Sequence, residues 1–267
     1  MSRATAAGVL AMWSLLSCGG SSSPQAPSSS TPSGTLVWQD EFDGQGLPDA
    51  SRWNNEVGLI RNNERQFYTE RRSENARLEG GRLVIEARKE AFQGAAYTSA
   101  SLTSRANWTY GRIEVRAKLP KGRGTWPAIW TLGTNIGQVG WPACGEIDIM
   151  EHVGFDPGRI HANIHTRAYN HVQGTNKGNN VMVPRPDEEF HTYEAVWTES
   201  SIEMKVDGRS YFTFNKEPGG DAVWPFDKPQ YLILNLAIGG TWGGQQGIDD
   251  SAFPARYEID YVRVYRP

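Results

Sequence analysis

Alternation of apolar and polar positions, not helical spacing, dominates this chain. In GRIEVRAKLP, Ile113, Val115, Ala117 and Leu119 fall on one face and Arg112, Glu114, Arg116 and Lys118 on the other. That period of two is the mark of a half-buried strand. The segments GGRLVIEARKE, YEAVW, IEMKVDGRSYFTF, YLILNLAIGG and YEIDYVRVY read the same way. Asp207-Gly208, between Val206 and Tyr211, is a hairpin-turn signal. No repeat of fixed length and no long helical pattern interrupts them. Many short strands across residues 36–267 predict an all-β fold, a β-sandwich or jelly roll.

The first 35 residues stand apart from this pattern. Arg3 is followed by a mostly apolar run from Ala4 to Leu16, then Ser17-Cys18. Residues 1–18 therefore read as a targeting signal. The run is too short to span a membrane as a stable helix. Leu15-Leu16-Ser17-Cys18 resembles a bacterial lipoprotein signal, in which Cys18 becomes the lipidated first residue. An ordinary secretory signal and an uncleaved start are the alternatives. Residues 19–35, GGSSSPQAPSSSTPSGT, cannot bury apolar surface and read as a flexible tether. The expected product is an exported domain of residues 36–267, lipid-anchored at the cell envelope through Cys18 or else secreted.

Composition narrows the function. The 267 residues carry a net charge of -3, which argues against a nucleic-acid partner. Gly at 29 and Trp at 10 suit a turn-rich, aromatic β-fold. The two cysteines are Cys18 and Cys144. With Cys18 in the signal, Cys144 has no partner, so neither an intramolecular disulfide nor a zinc–cysteine site is expected. Cys144 has acids beside it and no adjacent base, so it reads as structural.

The chemistry concentrates in GEIDIMEHV, residues 145–153. On a regular strand Glu146 and Asp148 share one face, with Ile147 and Ile149 on the other. Glu151, five residues after Glu146, would then fall on the aliphatic side, where an unpaired carboxylate is costly. One extra residue near Ile149-Met150, a β-bulge, returns Glu151 to the acidic face. Two carboxylates on one face can divide glycoside hydrolysis, one attacking and the other protonating the leaving oxygen. A solvated acidic face and a cation site are the competing readings. His152 is expected to point into the sandwich. His161 and His165 share a face of RIHANIHT, but residues four apart on a strand do not make an easy shared metal site.

GEIDIME resembles the catalytic strand of glycoside hydrolase family 16 in its bulged Glu-x-Asp-x-x-Glu form. The resemblance extends over LVWQDEFDG, RWNNEVG, NNERQFYT, GRIEVRAKLP, GTWPAIWTLG, GWPACGEIDIMEHVG, FHTYEAVW, LNLAIGGTWGG and DYVRVY, in family order across residues 36–267. It implies a jelly-roll sandwich of two antiparallel sheets whose concave sheet carries a carbohydrate cleft. It implies Glu146 as nucleophile, Glu151 as general acid/base and Asp148 as the carboxylate supporting the nucleophile. The segments look most like bacterial laminarinases, retaining enzymes that cut internal β-1,3-glucan bonds. Trp126 and Trp130 then line the cleft, with two core tryptophans as the alternative. Asn63 and Arg105 match polar residues near the bound sugar, with turn and surface roles as the alternative. Trp141 and Trp242 match loop walls, and His165 a hydrogen bond to sugar or cleft wall. Some members hold a structural calcium, whose ligands match Glu41, the Gly81 carbonyl and Asp260, with a plain hydrogen-bonded Asp260 as the alternative. No organic cofactor is implied, the partner is a β-glucan, and nothing points beyond a monomer. Mixed-linkage glucan, agarose, carrageenan or another galactan are rival substrates. A non-catalytic β-glucan-binding protein is the rival class, disfavoured because both glutamates are present.

Overall fold

The computed structural model describes residues 34–266; the signal at 1–18, Cys18 and nearly all of the tether lie outside the described residues. The first strand, β1 (Thr35–Asp40), takes in the last tether residue. It is followed by β2 (Trp53–Asn55), β3 (Gln66–Tyr68), β4 (Ala76–Leu78), β5 (Leu83–Phe92) and β6 (Ala95–Ser99). Then come β7 (Ser101–Ser104), β8 (Gly111–Lys118) and β9 (Thr125–Gly133). A one-turn helix, α1 (Ile136–Val139), leads to β10 (Glu146–Glu151), β11 (Arg159–His165) and β12 (Lys177–Met182). The chain continues through β13 (His191–Trp197), β14 (Ser201–Val206), β15 (Arg209–Asn215), β16 (Gln230–Ile238) and β17 (Ala255–Arg266).

The strands form two sheets. The ten-stranded sheet runs β15-β14-β13-β8-β17-β5-β6-β3, with β1 added on β17 and β4 on β5. The seven-stranded sheet runs β12-β11-β10-β9-β16-β7-β2. Pairing is antiparallel throughout except between β3 and β6, which run parallel, a departure from the all-antiparallel expectation. The predicted hairpin is present. Val206 pairs Arg209, and Asp207 and Gly208 both have positive φ, as a two-residue type I′ turn requires.

Apolar faces of both sheets meet in one core. Ile113, Val115 and Ala117 of β8 pack there with Ile147, Ile149 and Met150 of β10 and Leu232, Leu234 and Leu236 of β16. Truncating such a fully buried aliphatic side chain to alanine costs about 2–5 kcal/mol. β9 is buried at every position, so its outer face is covered as well. Ala128, Trp130 and Leu132 form a second apolar cluster there with Cys144 and Ile233, and Trp126 a third with Val153 and Ala237. These clusters floor a cleft on the outer side of the seven-stranded sheet.

Candidate active site

The strand that carries the acids is bulged. Against β9, Asp148 pairs Trp130 and Met150 pairs Ile129, which leaves Ile149 as the extra residue. Against β11, Asp148 pairs Asn163 and Glu151 pairs His161, so three steps on one strand meet two on the other. Ile147, Ile149 and Met150 all enter the core. Glu146, Asp148 and Glu151 therefore emerge together on the cleft face. The core accepts two successive apolar residues, and in return no carboxylate is buried in it. Gly145 precedes the strand with φ of 79°, and a Cβ there would lie 2.7 Å from Pro225 and 2.9 Å from Phe226. Only glycine fits that position.

The cleft has a volume of about 980 Å³. Each outer acid is held by an indole. Trp141 Nε1 donates to Glu146 Oε2 at 2.9 Å, and Trp126 Nε1 donates to Glu151 Oε1 at 3.0 Å. Asn163 Nδ2 donates to the other oxygen of Glu151 at 3.3 Å. His165 Nε2 lies 3.2 Å from Asp148 Oδ2 and 3.7 Å from Glu146 Oε1. The His165 ring sits beside those of Trp141 and His171, at centroid distances of 6.0 and 5.1 Å. Trp242 stands edge-on to Trp126 at 5.5 Å and to His161 at 4.9 Å.

Burial decides the charge state of the acids. It raises the Glu146 carboxyl well above the usual carboxylate range, and the neighbouring charge of Asp148 adds to the shift. Asp148 is raised well above that range by burial and then by Glu151. Glu151 is raised by burial, while His165, Trp126 and Asn163 pull the other way. All three shifts run upward, in the direction that keeps a proton on the set, and carboxyls that interact in this way titrate as a unit. One carboxylate that can attack beside one carboxylic acid that can donate is the apparatus of glycoside hydrolysis.

The profile of Glycosyl hydrolases family 16 matches residues 63–263. The chain belongs to glycosyl hydrolase family 16. A family 16 relative called "Beta-glucanase", from Rhodothermus marinus, is 52% identical over 90% of this chain and 87% of its own length. The laminarinase structure from Rhodothermus marinus superposes with a TM-score of 0.84 at 52% identity, covering 86% of this chain and 96% of that one. A structure described as a non-specific endo-β-1,3(4)-glucanase superposes with a TM-score of 0.84 at 49% identity, covering 89% of this chain and 93% of that one.

The family 16 cleft collects most of the residues singled out from sequence. Trp126, Trp130, Trp141, His165 and Trp242 line it with the three acids. Asn63 and Arg105 stand outside this lining. Asn63 faces a neighbouring cavity of about 590 Å³, while Asn62 and Glu64 on either side line the cleft. Arg105 is exposed, and its Nε donates to the Ala50 carbonyl at 2.6 Å, a surface role. His152 is buried and pushed down to about 4 by its burial, as a core histidine should be. His161 packs on Trp242 and lines the cleft.

Several cleft residues escaped the sequence reading. Asn163 shares the outward face of β11 with His161 and His165, so the alternation of RIHANIHT was a usable signal. Asn235 is the lone polar residue in YLILNLAI; it accepts from Trp130 Nε1 at 2.7 Å and donates to Tyr68 Oη at 2.9 Å. The Arg61 guanidinium lies 4.8 Å from the Trp130 ring and pairs with Glu56, so one face of that indole is already covered. Nothing local in the sequence announces the Arg61 contact.

Two of the three expected calcium ligands, Glu41 and Asp260, are each engaged by a guanidinium. Glu41 receives two hydrogen bonds from Arg263, both at 2.8 Å, and Asp260 is paired with Arg116. Calcium takes six to eight oxygen ligands, so an ion bound there would have to displace both guanidinium groups from these carboxylates. Among the described residues, the one cluster of three metal-ligating side chains is Glu146, Asp148 and His165.

Proposed function

We propose that this family 16 protein is a retaining endo-β-1,3-glucanase. The observation that carries the reading is the bulge, which sets Glu146 and Glu151 on one cleft face with Asp148 between them. Glu151 gives its proton to the glycosidic oxygen while Glu146 attacks the anomeric carbon; the glycosidic bond breaks and a glycosyl-Glu146 ester forms. Glu151, now ionised, takes a proton from water, whose oxygen displaces Glu146 and restores the starting state. The Trp141 N–H orients the nucleophile, and those of Trp126 and Asn163 orient the acid. Asp148 and His165 fix the charge between them.

The laminarinase relative supports β-1,3-glucan as substrate. The neighbour described as non-specific supports a second reading in which mixed β-1,3-1,4-glucan is also cut. Export and a lipid anchor at Cys18 rest on the N-terminal sequence alone. The test is release of reducing ends from laminarin, barley mixed-linkage glucan, agarose and carrageenan. Early appearance of short oligosaccharides from laminarin is expected, and its loss in Glu146→Ser and Glu151→Ala with the fold retained. Release from a galactan alone would overturn the substrate. Binding without release from any of the four would overturn catalysis.

A further inference from the structure

We propose that Glu146, Asp148 and His165 also form a zinc site, and that zinc bound there switches the enzyme off. The ligand atoms stand close to coordination spacing around His165. In a tetrahedral zinc site with bonds of about 2.0–2.1 Å, neighbouring ligand atoms lie about 3.3 Å apart. His165 Nε2 is 3.2 Å from Asp148 Oδ2 and 3.7 Å from Glu146 Oε1. All three ligand atoms fall within 4.8 Å of one another. Movement of the Glu146 side chain towards Asp148 closes the set.

A second observation points to a ligand independently of that spacing. Asp148 is 3% exposed, and apart from the 3.2 Å approach of His165 Nε2, itself a member of the set, its Oδ2 accepts no hydrogen bond from the protein. A buried carboxylate oxygen with so little compensation keeps much of its desolvation cost, and a cation there removes it. His165 is 5% exposed and enclosed by Trp141 and His171, so its ring is held in place by packing before any metal arrives.

The donor set selects the metal. Calcium prefers six to eight oxygens, and magnesium keeps most of its water. One imidazole nitrogen with two carboxylates, and a fourth position facing the cleft, suits zinc. A zinc–oxygen bond to Glu146 occupies the electron pair with which that residue attacks, so zinc and glucan exclude each other. The inhibitory half of the inference rests on the proposed role of Glu146; the binding half does not.

The experiment is calorimetric titration of zinc chloride into metal-free full-length protein at neutral pH, without glucan. One zinc per chain is expected. Asp148→Asn and His165→Asn should each weaken binding about tenfold or more, the least expected for loss of a ligand. Cys144→Ser should leave the affinity unchanged, which separates the site from the thiol two residues before Glu146. Calcium should give no saturable heat. No saturable zinc binding at millimolar zinc would overturn the site. So would undiminished affinity in both variants with circular dichroism showing them folded. In parallel, zinc should inhibit laminarin hydrolysis competitively, with activity restored by a chelator. Zinc binding without inhibition would overturn the switch, while the role given to Glu146 stands or falls separately with the activity of Glu146→Ser.

Discussion

Replacing Trp126 by phenylalanine removes one hydrogen-bond donor from Glu151 and leaves its other contact, with Asn163, in place. The indole N–H stabilises the ionised carboxylate more than the neutral acid. A hydrogen bond to a charged group contributes about 1.5–3 kcal/mol and one to a neutral group about 1 kcal/mol. The difference of about 0.5–2 kcal/mol corresponds to roughly 0.4–1.4 pKa units, centred near one, at about 1.4 kcal/mol per unit. The direction is upward: burial already raises Glu151, and the lost donor was opposing that shift. The proton needed for leaving-group departure is therefore retained to higher pH. The assay is initial rate against pH at laminarin concentrations far below KM. That profile reports kcat/KM and the essential groups of the free enzyme. Its alkaline limb, which belongs to the three carboxyls together, should move up by about one unit. Trp242→Phe is the control, because Trp242 packs edge-on against Trp126 and has no bond to an acid. A limb that stays put or moves down in folded Trp126→Phe would refute either the acid role of Glu151 or the function given to this hydrogen bond.

The raised Glu146 carboxyl is also a statement about stability. A folded-state pKa above the unfolded value of about 4.3 means that stability present below that pH is lost as pH rises through the folded value. Glu146→Gln cannot ionise and keeps an oxygen for the Trp141 N–H, so it should melt higher than the wild type at neutral pH and not at pH 4. Each kcal/mol recovered is worth about 2–4 °C in a domain of this size. Scanning fluorimetry across pH checks this, and a neutral-pH melting point at or below wild type would contradict it. Calcium at millimolar concentration should move the melting point by less than about 1 °C, since Arg263 and Arg116 already neutralise Glu41 and Asp260; a rise of several degrees would mean that calcium displaces them. The full-length protein should partition with membranes and Cys18→Ala should release it, measured by detergent phase separation, with equal solubility of the two forms counting against the anchor.

Alternation alone determined a great deal. The strands in GRIEVRAKLP and YLILNLAIGG, the hairpin at Asp207-Gly208 and the bulge in GEIDIMEHV were all legible, because each is a rule about which face successive side chains occupy. The bulge was readable for a further reason: an unpaired carboxylate in an aliphatic core is too costly to stand, so the chain had to reset its phase. Phase along one strand says nothing about distances between strands. That Trp141 and Trp126 aim N–H groups at Glu146 and Glu151 depends on how a loop and a neighbouring strand approach β10. That Arg61 covers Trp130 across 69 positions of sequence, while Arg105 stays on the surface, depends on where loops close. Glu41 and Asp260 looked like open ligands until the fold put Arg263 and Arg116 beside them. Side-chain periodicity is a local property written in consecutive residues, whereas partners, burial and charge state arise only when segments distant in sequence pack together, and those the tertiary structure alone decided.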